Sequence, residues 1–197
     1  MPPPASSAAP RDPAPQQPEL SATGRVILGM LALGKSTGYD IKQFVDKSTR
    51  FFWAASYGQI YPELRRLEDQ GLVRGRPEPS GARARTVFEL TEAGRSALDA
   101  WLASDPEPSY ELRDEGMLKL FFSDALPARR IENIRTMRAV HERKLATLQA
   151  IEPIAAEGPL GPRLTLELGI ACTRAAIEWC EATERRLAGN PNQEYRC

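Results

Sequence analysis

The chain has 197 residues, 42% of them hydrophobic, with 26 basic and 26 acidic side chains, one histidine and three cysteines. That is enough for one domain or two small ones around an ordinary core. The longest apolar run, Val26–Leu33, is broken by Gly29 and is far too short to cross a bilayer. The N-terminus lacks the basic-then-apolar layout of a secretory signal, so a cytoplasmic protein with no membrane partner is expected.

The zero net charge hides a split. Residues 24–85 hold eleven Lys/Arg against six Asp/Glu, whereas residues 86–197 hold fourteen against eighteen. A basic segment joined to an acidic one suits a protein whose first part alone meets a polyanion.

Residues 1–20 are rich in proline and lack aromatic side chains, as a disordered tail does. Three short helical patterns follow. Ser21 or Thr23 caps the first, which carries Val26, Ile27, Met30, Leu31 and Leu33 and ends near Gly34. Thr37 caps the second, with Ile41, Phe44 and Val45 on one side. Ser56 opens the third and forms a capping box with Gln59, while Ile60, Leu64 and Leu67 make its inner stripe and Gly71 its stop. The period then changes. "LVRGR" and "ARTVFEL", joined by a Pro/Gly-rich stretch, read as a β-hairpin, and Thr91 starts a further helix. Three helices and a hairpin are the element order of a winged helix-turn-helix, here spanning residues 21–104.

Residues 105–111 form a linker to a helical region at 112–190, with residues 191–197 as a tail. Helices are expected over Leu112–Phe122, from Pro127 to about Ile151, and over Arg163–Leu187. In the middle one, Ile131, Ile134, Met137, Val140/His141, Leu145, Leu148 and Ile151 form a near-heptad stripe suited to packing along a second long helix. Cys172 and Cys180 fall on roughly one face of the last helix. With Cys197 they read as reduced thiols, the first two in the core; a disulfide or redox switch is the alternative.

The third helix carries the chemistry. Opposite its apolar stripe lie Gly58, Gln59, Pro62, Arg65, Arg66 and Asp69. Small or flat residues near the N-terminus allow close approach to a groove. Gln59 can offer its amide to adenine, and arginines a turn later reach phosphates. Pro62 is intelligible there, as an outward residue with bulk but no long side chain. On the hairpin, Arg83 and Arg85 project to one face, as do Arg74 and Arg76 on the facing strand, where a narrow minor groove would receive arginine. Double-stranded DNA is therefore the expected partner. A winged helix used only for protein contact is the alternative, but it calls for an apolar outward face on this helix.

"YGQIYPELRRLEDQGLV", the basic wing, "LTEAGR" and "GYDIKQFV" resemble the PadR-like family of bacterial transcriptional regulators. "MLKLFFSDALP" and "LGIACTRAAIEWCE" resemble the helical C-terminal domain of the longer, phenolic-acid-regulator type. The resemblance covers residues 21–188. It implies a mainly α fold with a small hairpin, and a homodimer that reads a palindromic operator, as a repressor released by an effector. By position it places Tyr39, Ser56, Tyr57, Gln59, Tyr61 and Arg65 at or near DNA, with Arg83 and Arg85 on the wing. Tyr57 and Tyr61 flank the buried side, so either is a core residue or reaches a phosphate with its hydroxyl.

The family also responds to small aromatic or lipophilic effectors. Trp53, Trp101, Tyr110, His141 and Trp179 are candidates to line a pocket between the domains, although aromatic residues at helical spacing are usually core. His141 reads as a hydrogen-bonded packing residue. An enzyme is not expected: one histidine, no Gly-rich phosphate loop and no metal-ligand cluster leave little to build from, and Glu181 and Glu184 read as solvated. No cofactor or metal is implied.

Overall fold

The computed structural model describes residues 20–53, 57–79, 85–104 and 113–189, without the side chains of Arg50 and Tyr57. These residues fall into two compact units. One holds residues 20–44, 57–79 and 85–104, and the other residues 45–53 and 113–189.

The first unit builds its core from three helices and a hairpin. Helix α1 (Ala22–Ala32) is capped by Ser21, whose Oγ accepts from Gly24 N at 2.9 Å, and it buries Ile27, Leu28 and Met30. Helix α2 (Gly38–Lys47) starts at Thr37, whose hydroxyl accepts from Asp40 N at 3.0 Å and donates to the Asp40 carboxylate at 2.7 Å. Helix α3 (Tyr57–Asp69) lays Ile60, Leu64 and Leu67, each no more than 2% exposed, against α1. Burying such side chains stabilises the fold by ~1.5–3 kcal/mol each. Gly71, at φ +70°, ends α3 in the left-handed turn that β-carbon-bearing residues avoid, and Leu72 N closes it onto Leu67 O at 2.9 Å.

Strands β1 (Val73–Glu78) and β2 (Arg85–Leu90) pair antiparallel, from Val73 opposite Leu90 to Glu78 opposite Arg85. The segment before α2 extends this sheet: Phe88 N donates to Ser36 O at 2.7 Å, and Thr37 bridges to Val87. Helix α4 (Glu92–Leu102), capped by Thr91, packs on α1 and β2. It can do so because Gly94 has no side chain: a Cβ there would lie 1.9 Å from Leu72 O.

In the second unit, α5 (Glu115–Phe121) is capped by Asp114, so it begins three residues later than the expected Leu112. Short 3-10 turns at Ser123–Ala125 and Pro127–Arg129 lead into α6 (Arg130–Ala156), which packs along α7 (Leu160–Gly189). Ile134, Met137 and Cys180 form one buried cluster, with Leu120 and Leu187 against it, and Leu148 and Ile170 are buried further along the helices. Helix α6 starts at Arg130, after the expected Pro127, and runs past Ile151 to Ala156, while α7 overruns its expected bounds at both ends. Pro153 lies in the last turn of α6, where only one ladder bond is lost. Pro162 lies in the first turn of α7, where N–H groups have no helical acceptor anyway.

Two expectations are corrected here. Cys172 is exposed and only Cys180 is buried, because eight residues carry a helix about 80° past a whole number of turns. Glu184 is not a solvated carboxylate. It is 17% exposed and accepts from Arg135 at 2.5 Å and Arg138 at 3.0 Å, both on α6. Those arginines hold its carboxyl below the ordinary range.

Candidate nucleic-acid interface

The outward side of α3 is polar. Gly58, Gln59, Pro62, Arg65 and Asp69 are exposed, and Pro62 falls on this face as its sequence position suggests. Tyr61 is 54% exposed and so is not a core residue. Its ring lies over Gly38, the first residue of α2, where a Cβ would come within 2.7 Å of the ring. Gly38 thus lets α2 and α3 meet closely, and it brings the exposed Tyr39 near Tyr61 in the helix-turn-helix. The Tyr39 hydroxyl accepts from Gln43 one turn further along α2.

The two arginines of α3 differ. Arg65 is exposed, whereas Arg66 gives Glu63 a bidentate pair, Nε to Oε2 at 2.9 Å and Nη2 to Oε1 at 2.6 Å. This pairing holds the Glu63 carboxyl below its usual range, against the opposing effect of burial, and raises the Arg66 guanidinium. Glu63 also accepts from Ser21 Oγ at 2.5 Å, so one carboxylate joins the cap of α1 to the outer edge of α3. The α1–α3 contact requires Gly24, where a Cβ would come 2.8 Å from the Glu63 carboxylate.

The hairpin carries arginine and glutamate together. Arg76 pairs with Glu89 at 3.1 Å, and Arg85 with Glu78 at 2.5 Å, both well exposed. Exposed pairs of this kind stabilise by only ~0.2–1 kcal/mol, so either guanidinium exchanges its carboxylate for a stronger anion at small cost. Arg74 is exposed on the same strand face as Arg76. Ser56 and Arg83 lie outside the described residues, as does the Tyr57 side chain.

The expected effector residues divide between the units. Trp101 belongs to the first, where the Arg25 guanidinium stacks 5.7 Å from its ring centroid. Trp53, His141 and Trp179 belong to the second, and Tyr110 lies outside the described residues. Trp53 and Trp179 are partly exposed, not core. His141 is half-buried, and its buried Nδ1 has no hydrogen-bond partner among the described residues. An open groove of about 360 Å³ in the second unit is lined by other side chains, among them Leu118, Lys119, Phe122, Leu126 and Arg129. Among the described residues no group of three His, Cys, Asp or Glu is arranged to hold a metal, and no helix is long and apolar enough to cross a membrane.

Sequence reasoning passed over Ser21, Thr23 and Glu63 as members of this surface. Thr23 Oγ1 donates to Gln59 Oε1 at 3.4 Å, so both hydroxyls at the start of α1 reach α3. Glu63 stands four residues after Gln59, and that helical spacing was the one signal available for it.

A winged helix-turn-helix with a polar, basic-edged recognition helix, followed by a separate helical unit, is the make-up of a DNA-binding transcriptional regulator. Residues 27–100 match the transcriptional regulator PadR-like family, and residues 112–188 match the virulence activator alpha C-terminal family. Residues 27–100 thus carry the domain of the PadR-like family of transcriptional regulators. It is 29% identical to the negative transcriptional regulator PadR of Bacillus subtilis over 79% of this chain and 92% of that protein. The crystal structure of Bacillus subtilis PadR in complex with operator DNA superposes with a TM-score of 0.76 at 27% identity, covering 83% of this chain and 97% of that one. The same protein in complex with p-coumaric acid gives 0.70 at 25% identity, over 83% and 94%.

Proposed function

We propose that this protein is a cytoplasmic homodimeric repressor that binds a palindromic operator and is released by a small aromatic or lipophilic effector. Residues 21–104 serve as the DNA-binding domain, and residues 112–190 as the dimerisation and effector domain; the reading includes no catalytic step. The observation that carries it is the division of α3, with Ile60, Leu64 and Leu67 buried and Gly58, Gln59, Pro62 and Arg65 outward. A protein-docking helix would present apolar residues on that side.

In this reading Gln59 meets base edges, while Arg65 and Arg85 meet phosphate or the minor groove, with Arg83 beside them by sequence position. Tyr39 and Tyr61 flank the groove, with Ser56 and Tyr57 at the start of α3. Arg66 serves differently: its guanidinium is committed to Glu63, so it fixes α3 and Arg65 carries the phosphate contact. Operator binding by Bacillus subtilis PadR supports the DNA partner, and its p-coumaric acid complex supports an aromatic effector. Of the candidate effector residues, Trp53, His141 and Trp179 share the second unit and are the ones proposed to line the effector site there.

The test is fluorescence anisotropy against the DNA upstream of the gene and a scrambled duplex, over a salt series. Binding ~10³-fold tighter to the upstream DNA, with a steep salt dependence, is expected. Equal weak binding to the upstream DNA, the scrambled duplex and a random-sequence pool would refute a sequence-specific role.

A further inference from the structure

We propose that Thr23 is a positioning residue for sequence reading, acting through Gln59; the proposal rests on the reading of Gln59 as a base-contacting side chain. The first turn of α1 touches the outer edge of α3 at two points one helical turn apart. Ser21 Oγ donates to Glu63, and Thr23 Oγ1 donates to Gln59 Oε1 at 3.4 Å. Gly24 makes this approach possible, since a Cβ there would lie 2.8 Å from Glu63 Oε1 and 3.2 Å from Ser21 Oγ. Ser21 is already committed to capping Gly24 N, so the two hydroxyls divide the work: one caps and anchors, the other reaches the reading side chain.

The consequence lies in the direction of an amide. Gln59 is exposed, and a free glutamine swings about three single bonds and presents either its oxygen or its nitrogen to a groove. With Oε1 accepting from Thr23, Nε2 is turned away from α1 with both its hydrogens available. In the major groove guanine offers two acceptors, N7 and O6, and thymine offers O4. Adenine pairs an acceptor with a donor, and cytosine offers a donor. An amide held with its nitrogen outward favours guanine and thymine edges. It disfavours cytosine, and it weakens bidentate pairing with adenine, which needs Oε1. Thr23 thus alters base preference without touching a base.

The experiment is random-sequence selection and sequencing with full-length wild type, Thr23→Val, Thr23→Ser and Gln59→Ala. Melting temperature and the salt dependence of binding are measured beside it. Thr23→Val keeps the shape and removes the hydroxyl. It is expected to reduce the preference at one position in each half-site by roughly threefold to tenfold, less than loss of a whole bidentate contact. Thr23→Ser should restore the wild-type preference, with melting temperature and salt slope unchanged in both. A Thr23→Val profile equal to wild type, while Gln59→Ala broadens it, overturns the role of Thr23 and leaves the reading of Gln59 standing. A Gln59→Ala profile equal to wild type removes that reading and the proposal with it. Equal loss by Thr23→Val on every sequence assigns Thr23 to the DNA backbone instead, and also overturns the proposal.

Discussion

Replacing Gly94 by alanine sets two physical effects against each other. Gly94 lies in the first turn of α4, and helix propensity alone favours alanine over glycine by ~1 kcal/mol. Packing opposes it. The new methyl group would stand 1.9 Å from Leu72 O and 2.9 Å from Leu72 C, and this obstacle is backbone, with no side-chain tip to swing away. Leu72 O is also the acceptor for Thr91 N and Thr91 Oγ1, each at 3.1 Å, so separating the elements weakens the cap of α4. Overpacking at the upper end of its ~1–3 kcal/mol range, with a hydrogen bond of ~1 kcal/mol lost and the propensity gain subtracted, gives a net loss of about 2–3 kcal/mol. At ~4–8 °C per kcal/mol for a domain of this size, the first unit should melt roughly 10–20 °C lower.

Thermal melts followed by circular dichroism at fixed protein concentration measure this, with Gly29→Ala as the control. Nothing outside its own helix lies within 4 Å of a Cβ at Gly29, so alanine there should stabilise by ~0.5–1 kcal/mol. A Gly94→Ala protein that melts at or above wild type would refute the packing argument.

Glu63→Gln should lower stability by ~1 kcal/mol near neutral pH, after discounting for partial exposure. Because Arg66 depresses the Glu63 pKa, that contribution is complete above the ordinary value of 4.5 and is lost as pH falls through the lower folded value. Denaturation curves should therefore draw together as the pH falls below 4.5, and a gap that does not narrow in acid would contradict the sign. Burial raises the Cys180 thiol while Cys172 is exposed, so in a Cys197→Ser background a thiol reagent should modify Cys172 in the native state and Cys180 only on unfolding. Equal native rates in single-cysteine variants would count against the α6–α7 packing. Glu184→Ala should lower the melting temperature. Combined with Arg138→Ala it should cost less than the two single changes added, since both break one cluster; strict additivity would mean the pair is not coupled.

Local pattern by itself determined the class of this protein. The stripe of Ile60, Leu64 and Leu67 dictates which side of α3 is buried, and therefore that Gln59, Pro62 and Arg65 face out. The change of period after Gly71 announces the hairpin. Contacts between residues far apart in the chain had no such signature. Two hydroxyls, Ser21 and Thr23, were equally good caps for α1. Only the approach of α3 assigned one to Gly24 and Glu63 and the other to Gln59. The bond from Phe88 in β2 to Ser36 in the turn before α2 ties the wing to that turn, and the strand's own periodicity does not announce this partner. Glu184 looked solvated because helical spacing says which residues share a face, not which face of another helix will meet it; Arg135 and Arg138 stand 49 and 46 residues away. Periodicity is a property of one element and can be read along the chain. Pairing between elements depends on how side chains fit in space, and that was decided only in the folded molecule.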